Sequence, residues 1–267
     1  MNGRNKPLRI PILKEESFKK IYTAYSSLGR LTKINSDLSF YHCDFWRNAT
    51  MSPIFLNPSK NWKKSLINLE TYFERTKNKS LYDSPPYFNL LSKGKSKLPT
   101  EIIPTFSKCG WKLNTKETSL NFWRFPLALA LPKGIHLRIG NYFDREIYPH
   151  FLKAMQDNFE CDRQFMSYLN KMIKGVEHDT STTLLFNHRG SCIGAGLVAT
   201  KNNSAFLYCG SINRSYRGKN LWKTLVAARQ MVSGSRGAKS WITTTRVPQL
   251  LWRGDETYRV NIFTKIT

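Results

Sequence analysis

The residues best suited to chemistry lie together in one short stretch. Residues 205–212, Ala-Phe-Leu-Tyr-Cys-Gly-Ser-Ile, read as a strand and run straight into Asn213-Arg-Ser-Tyr-Arg-Gly-Lys-Asn220, after which apolar residues recur at helical spacing. Strand, glycine turn and helix in that order make a phosphate-binding layout. Gly218 lets the backbone approach an anion closely, and the helix start offers unpaired N–H groups and the positive end of its dipole. Arg214, Arg217 and Lys219 add charge. A pyrophosphate would be held here mainly by backbone donors, with the basic side chains at its edge. A basic turn that merely caps a helix has the same composition, so the stretch draws its meaning from the elements around it.

Those elements are legible after residue 134. Residues 136–139 suggest a strand, and 143–159 and 165–176 two helices. The first helix carries Ile147, Phe151, Met155 and Phe159 at helical steps; Gly175 sits near the stop of the second. Strands at 182–186, 192–200 and 205–212 are separated by Asn187-His-Arg-Gly190 and Lys201-Asn-Asn-Ser204, which predicts an antiparallel meander. A helix over 221–232 has Leu221, Trp222, Leu225, Val226 and Val232 on one side, and Ser233-Gly-Ser-Arg-Gly237 ends it. Strands at 239–245 and 258–266 close the chain, with an irregular piece between them.

Before residue 127 the pattern is α+β as well. A strand at 37–45 is followed by a helix over 62–75 through Leu66, Leu69, Tyr72 and Phe73. Pro85-Pro86 breaks the pattern ahead of a strand at 87–91. Pro99 starts and Gly110 stops a helix with Ile102, Ile103 and Phe106 as its buried side, and 111–123 is extended. Pro126, Pro132 and Gly134 mark a boundary, and the apolar run 127–131 reads as a linker or a buried strand. The expected division is an extension at 1–35, an N-terminal α+β domain at 36–126, a linker at 127–134 and a second domain at 135–267. The fold class is α+β: a mixed, mostly antiparallel twisted sheet flanked by helices, with a second N-terminal α+β domain.

From about residue 134 to the end, this order of elements resembles the GNAT superfamily of N-acyltransferases, and Tyr216-Arg-Gly-Lys-Asn-Leu221 looks like that family's coenzyme-A loop. The resemblance implies acetyl-CoA as co-substrate. It implies that the edge formed by Cys209, Gly210, Ser211 and Ile212 pairs with the pantetheine arm, with Ile212 beside the thioester. The amides of Arg217, Gly218, Lys219, Asn220 and Leu221 would hold the pyrophosphate, with Arg214 beside the loop's first position. It further implies that strands 205–212 and 239–245 splay apart to admit the cofactor. The family pattern, Gln or Arg, two residues, Gly, one residue, Gly or Ala, falls on Ser215, Tyr216, Arg217, Gly218, Lys219 and Asn220; only the central glycine matches. Asn at the last position tolerates a left-handed backbone. Residues 87–123 loosely resemble the closing part of another such domain, which would make the N-terminal half a degenerate member of a tandem pair that shapes the acceptor side.

Acetyl transfer to an amine needs the amine unprotonated, an acceptor for its proton, a backbone donor for the developing oxyanion and often an acid for the departing thiolate. The resemblance implies direct transfer without an acyl-enzyme. No carboxylate occurs between Asp179 and Asp255, which points to water as the proton relay. Tyr258 is the candidate acid. Asp255 and Glu256, in Arg253-Gly-Asp-Glu256, are candidate bases or turn residues. Tyr208 and Cys209 could reach the slot, although a buried strand cysteine is ordinarily inert.

Composition sets the outer limits. Forty-two Lys+Arg against 18 Asp+Glu leave a formal charge of +24 over 267 residues, which favours anionic partners, nucleic acid among them. Five dispersed cysteines without a C-x-x-C pair fit a reducing compartment, taken as cytoplasmic, and the histidines show no zinc-ligand spacing, so no metal is expected. The first 14 residues lack the apolar core of a secretory signal, and 127–131 is far too short to span a bilayer. Three functions are compatible with these readings: an acetyl-CoA-dependent N-acetyltransferase acting on an amine of a small molecule or protein; a non-catalytic module of the same fold binding nucleic acid or a protein partner; and an aminoacyltransferase using charged tRNA.

Overall fold

Polar turns between apolar runs call for paired strands, and eleven strands form among the described residues. The computed structural model describes residues 31–35, 38–43, 62–76, 87–95, 97–98, 100–114, 117–159, 163–174, 179–245 and 253–266. In chain order these form β1 (Leu31–Asn35), β2 (Leu38–Cys43), α1 (Trp62–Thr76), β3 (Tyr87–Lys93), α2 (Ile102–Lys108), β4 (Trp111–Leu113) and β5 (Ser119–Trp123). Then follow β6 (His136–Gly140), α3 (Tyr148–Phe159), α4 (Arg163–Lys174), β7 (Thr180–Phe186), β8 (Cys192–Lys201) and β9 (Ser204–Ile212). A 3₁₀ turn (Arg214–Tyr216), α5 (Leu221–Ser235), β10 (Ser240–Thr245) and β11 (Glu256–Lys265) complete the order.

β1 and β2 form an antiparallel pair of their own. The other strands make one nine-stranded sheet in the order β3-β11-β5-β10-β9-β8-β7-β6, with β4 also beside β11. Neighbours are antiparallel except β9 and β10, which are parallel and joined through α5. This is the mixed, mostly antiparallel sheet expected from the sequence. β5 precedes residue 127 in the chain yet lies between β10 and β11, so strands from both sides of 127–134 share the sheet.

Each face of the sheet has its own core. On one, α3 and α4 cover Leu184, Leu197, Phe206, Tyr208, Ile242, Leu120 and Tyr258. On the other, residues of α5 pack against Val198, Ala205, Leu207, Trp123 and Trp241. The β8–β9 hairpin turns on Asn202 and Asn203, at φ 50° and 62°, the left-handed pair that a two-residue turn needs to match the strand twist.

Several elements depart from the sequence expectations, each for a physical reason. α3 begins at Tyr148 rather than 143, because Tyr142 to Ile147 form turns in which the Asp144 carbonyl already accepts from Ile147 N and Tyr148 N. Phe159, at its end, is 51% exposed. In α2 only Ile102 and Phe106 are buried; Ile103 faces solvent, since a two-turn helix offers a single i, i+4 stripe. α5 runs to Ser235 because the hydroxyls of Ser233 and Ser235 bond back to Arg229 O and Val232 O, and Gly237 at φ 91° then stops the chain from continuing. Residues 127–131 are not a strand. They cross the outer side of α5, where Leu127 N donates to Gln230 Oε1 (2.7 Å) and Thr224 Oγ1 donates to Ala130 O (3.0 Å). β1 had no counterpart in the sequence reading, and the piece between β10 and β11 expected to be irregular falls largely outside the described residues. No helix among the described residues is long and apolar enough to cross a membrane.

Candidate functional site

The parallel pair β9 and β10 stays together only at its start. Ser204, Ala205 and Phe206 face Ser240, Trp241 and Ile242 in register, and the pairing ends there although β9 continues to Ile212 and β10 to Thr245. Thr243 Oγ1 reaches across to Leu207 O at 2.7 Å, a side chain taking the place of a ladder bond. Beyond it the two strands open a slot whose one wall is the edge of β9 from Tyr208 to Ile212. The ladder between β9 and β10 thus ends where the resemblance implies a splay.

That edge is bent by a bulge. Leu197 faces Tyr208 and Ala195 faces Ser211, so β9 spends three residues where β8 spends two, and Cys209 takes a positive φ of 47° to accommodate the extra one. The extra residue breaks the alternation of faces. Tyr208 and Cys209 both pack toward the core under α3 and α4, while Gly210 and Ile212 face α5.

At the open end, the chain turns through the basic loop. Gly218 has φ 81° and nothing within 4 Å of where a Cβ would stand, so its glycine answers to backbone conformation alone. Asn220 caps α5 in the left-handed conformation at φ 56°, as expected for the position where the family pattern has glycine or alanine. The loop is held by its own polar contacts. Asn213 Oδ1 accepts from Ser215 N and Oγ, and Arg217 Nε donates to Ile212 O at 3.1 Å. Asn187 Nδ2 donates to Tyr216 Oη at 2.7 Å, while Lys219 lies over the Tyr216 ring. Arg214, Arg217 and Lys219 are exposed around the turn, and α5 has no acidic residue in its first turn. The arrangement presents a helix start and three cations to solvent beside the end of β9, suited to an anion.

Cys209, Gly210, Ser211, Ile212, Arg214, Arg217, Gly218, Lys219, Asn220 and Leu221 follow one another from the edge of β9 to the start of α5; Arg214, Arg217, Gly218, Lys219 and Asn220 are exposed, whereas Ser211 is buried and Leu221 packs with Leu185, Ile193 and Leu225. The structure does not bring Tyr258 there. Tyr258 lies on β11 at the level of Leu120 and Thr244, and β5 stands between its strand and β10. At strand spacings of about 4.8 Å it is roughly 10 Å from β10. It is buried, its ring meets Phe122 edge-on, and its hydroxyl donates to Glu256. Glu256 aligns with Phe122 and Ile242, the level at which β9 and β10 are still paired, and Asp255 Oδ2 accepts from Arg124 N at 2.7 Å. Both carboxylates belong to the β11 start rather than to the slot.

On the α3–α4 side of the bulge the polar groups are tyrosines. Tyr142 Oη donates to Asn170 Oδ1 (2.6 Å), and Asn170 Nδ2 donates to Tyr148 Oη (2.7 Å). Burial, and then the neighbouring Tyr148, Cys209 and Tyr208, raise Tyr142 well above the ordinary tyrosine range. Burial raises Tyr208 likewise, against a side-chain bond from Thr180 that lowers it. Both stay neutral and can donate a proton in a hydrogen bond but not act as a base. Cys192, pushed up to about 11 by burial, is likewise held as a thiol.

One residue at the site escaped the sequence reading. Arg229 of α5 is 4% exposed, with its guanidinium beneath the bulge. Nε donates to Leu225 O of its own helix (3.2 Å), and Nη1 donates to Leu197 O (3.4 Å) and Tyr208 O (3.3 Å). Gly196 and Gly210 make room for it: a Cβ on either would lie within about 3.0–3.3 Å of its guanidinium atoms. Burial lowers it to about 10, which still leaves it a cation at neutral pH. The signal was an arginine on the apolar stripe formed with Leu225 and Val232, together with glycines inside two strands.

The sequence matches no family model, and no curated protein matches it. Solved structures do. A GCN5-related N-acetyltransferase from Kribbella flavida matches with a TM-score of 0.61 at 12% identity, covering 94% of this chain and 95% of that one. A GCN5-related N-acetyltransferase from Sphaerobacter thermophilus matches at 0.58 and 14%, covering 83% and 75%. A tandem GNAT protein from the clavulanic acid biosynthesis pathway matches at 0.50 and 14%, covering 79% and 72%. At these identities the likeness establishes the fold: the chain has the GCN5-related N-acetyltransferase fold over most of its length.

Proposed function

We propose that the protein is an acyl-CoA-dependent N-acyltransferase, with acetyl-CoA as donor and an amine as acceptor. The observation that carries this reading is the opening of β9 from β10 beyond Phe206, continuous with the Gly218 turn and the start of α5. The pantetheine arm would lie along the edge from Cys209 to Ile212, and the pyrophosphate would rest on the amides from Gly218 to Leu221, the Arg217 amide being bonded to Arg214 O, with the side chains of Arg214, Arg217 and Lys219 at its rim. In the reaction, the neutral amine nitrogen attacks the acetyl carbon, the carbonyl π electrons move to oxygen, and their return breaks the C–S bond. The amide forms, the nitrogen gives its proton to water, and the thiolate leaves to be protonated from solvent. The sequence has no carboxylate between Asp179 and Asp255, and the buried Tyr142 and Tyr208 remain neutral, so water rather than a side chain takes the proton.

Titration calorimetry tests the donor. The wild-type protein should bind one acetyl-CoA per chain, and Arg217→Glu, which sets a like charge against the phosphates and removes the bond to Ile212 O, should weaken it by tenfold or more, on the order of one charge-assisted contact. No heat with any acyl-CoA at millimolar ligand would end the enzyme reading.

A further inference from the structure

We propose that Arg229 is a positioning residue for the acyl group, acting from beneath the bulge through the peptide that joins Tyr208 to Cys209. The inference rests on the acyl-CoA reading of the slot. Nη1 bonds Leu197 O on β8 and Tyr208 O on β9 together, so the guanidinium lies on the β8 side of β9 and the Tyr208 carbonyl points toward it. Carbonyl and N–H of a trans peptide point in opposite directions, and no peptide among the described residues is cis. The N–H of Cys209 is therefore directed to the other side of β9, the side from which β10 has departed.

A cation bound to the oxygen of an amide draws electron density from its nitrogen and strengthens its N–H as a donor, the more so in a buried setting. A charged side chain here is otherwise hard to account for. Burying a guanidinium costs free energy unless it is paired, its hydrogen bonds go to neutral carbonyls with Cys209 as its one electrostatic neighbour, and two strand residues are glycine where a Cβ would crowd it. Leucine or methionine at 229 would fill the same space under ordinary strand residues. What the guanidinium adds is a fixed positive charge one peptide away from the slot, with Nη2 about 3.0 Å from the Gly210 Cβ position. A thioester carbonyl seated against the Cys209 N–H, three residues deeper along β9 than the Ile212 position that the resemblance implies, would be polarised before attack, and the oxyanion formed from it would be stabilised by the same donor.

Two measurements on the whole protein test this without knowledge of the acceptor. The first compares affinities for acetyl-CoA and for CoA in the wild type, Arg229→Met and Arg229→Lys. The second follows the infrared stretch of [1-13C]acetyl-CoA when bound. The wild type should favour acetyl-CoA by about threefold to tenfold, the scale of one hydrogen bond to a carbonyl, and should shift the carbonyl stretch to lower frequency. Arg229→Met should keep its affinity for CoA while losing both the preference and the shift, and Arg229→Lys should recover part of each. An unshifted carbonyl in the wild type overturns the proposal even if no variant folds. So does Arg229→Met retaining the shift, or losing CoA and acetyl-CoA affinity alike, which would mark a purely structural cation. If the wild type binds neither ligand, the acyl-CoA reading itself fails and this role with it.

Discussion

A tyrosine near the C-terminus is only as useful as its distance from the reacting atoms. Tyr258 is buried, donates to Glu256 and is separated from the slot by β5, which suits it to holding the β11 start against Phe122. Tyr258→Phe should therefore leave acetyl-CoA affinity within about twofold, while lowering stability in urea by about 1 kcal/mol through the lost bond to a partly buried carboxylate that Arg124 also approaches. A large loss of acetyl-CoA binding with unchanged stability would restore it to the site. Tyr208 and Tyr142 stand much closer to Cys209, and burial keeps both neutral; their part is to shape and polarise rather than to accept a proton.

At the scale of elements, the slot exists because β10 has another partner. β5 pairs with β10 through Trp241 to Thr245, opposite Trp123 to Ser119, so β10 is hydrogen-bonded along its length on that side while it leaves β9 on the other. β5 in turn is fixed by β11 and by the sharp approach of Gly254, whose Cβ, if present, would meet Phe122 N at 2.7 Å and Glu256 O at 3.0 Å. Backbone cannot yield as a side-chain end can. Gly254→Ala should cost about 2–3 kcal/mol of stability in urea unfolding. A change under about 0.5 kcal/mol, within the range of ordinary surface substitutions, would show that β5 and β11 can move apart.

The whole molecule carries a charge of +24 and places Arg214, Arg217 and Lys219 in solvent at one end of its slot. Such a field attracts polyanions whether or not they are substrates. Association with tRNA should be measurable at about 50 mM salt and weaken by a hundredfold or more by about 200 mM, because several phosphates must release their counterions together. A flat salt dependence would show that phosphates are not what the protein holds and would remove the charged-tRNA reading. An excess of acetyl-CoA should compete only for tRNA bound at the Gly218 turn.

Much of the architecture was legible locally. The meander, the Asn202-Asn203 turn, the left-handed Asn220 and the glycine turn into α5 follow from periodicity and from φ values that few residue types accept, and these depend on residues within a few positions of one another. Helix limits moved where turns and hydroxyl back-bonds competed with periodicity, as at Tyr148 and Ser235. The insertion of β5 between β10 and β11, the distance of Tyr258 from the slot, and the seat of Arg229 beneath Gly210 were decided by tertiary structure alone. Each depends on which distant strands share a sheet, and no local pattern encodes that choice. The sequence by itself thus determined a strand, a basic glycine turn and a helix able to bind an anion; only the folded sheet parted β9 from β10, because β5 holds β10 along its opposite edge while the pairing with β9 stops at Ile242.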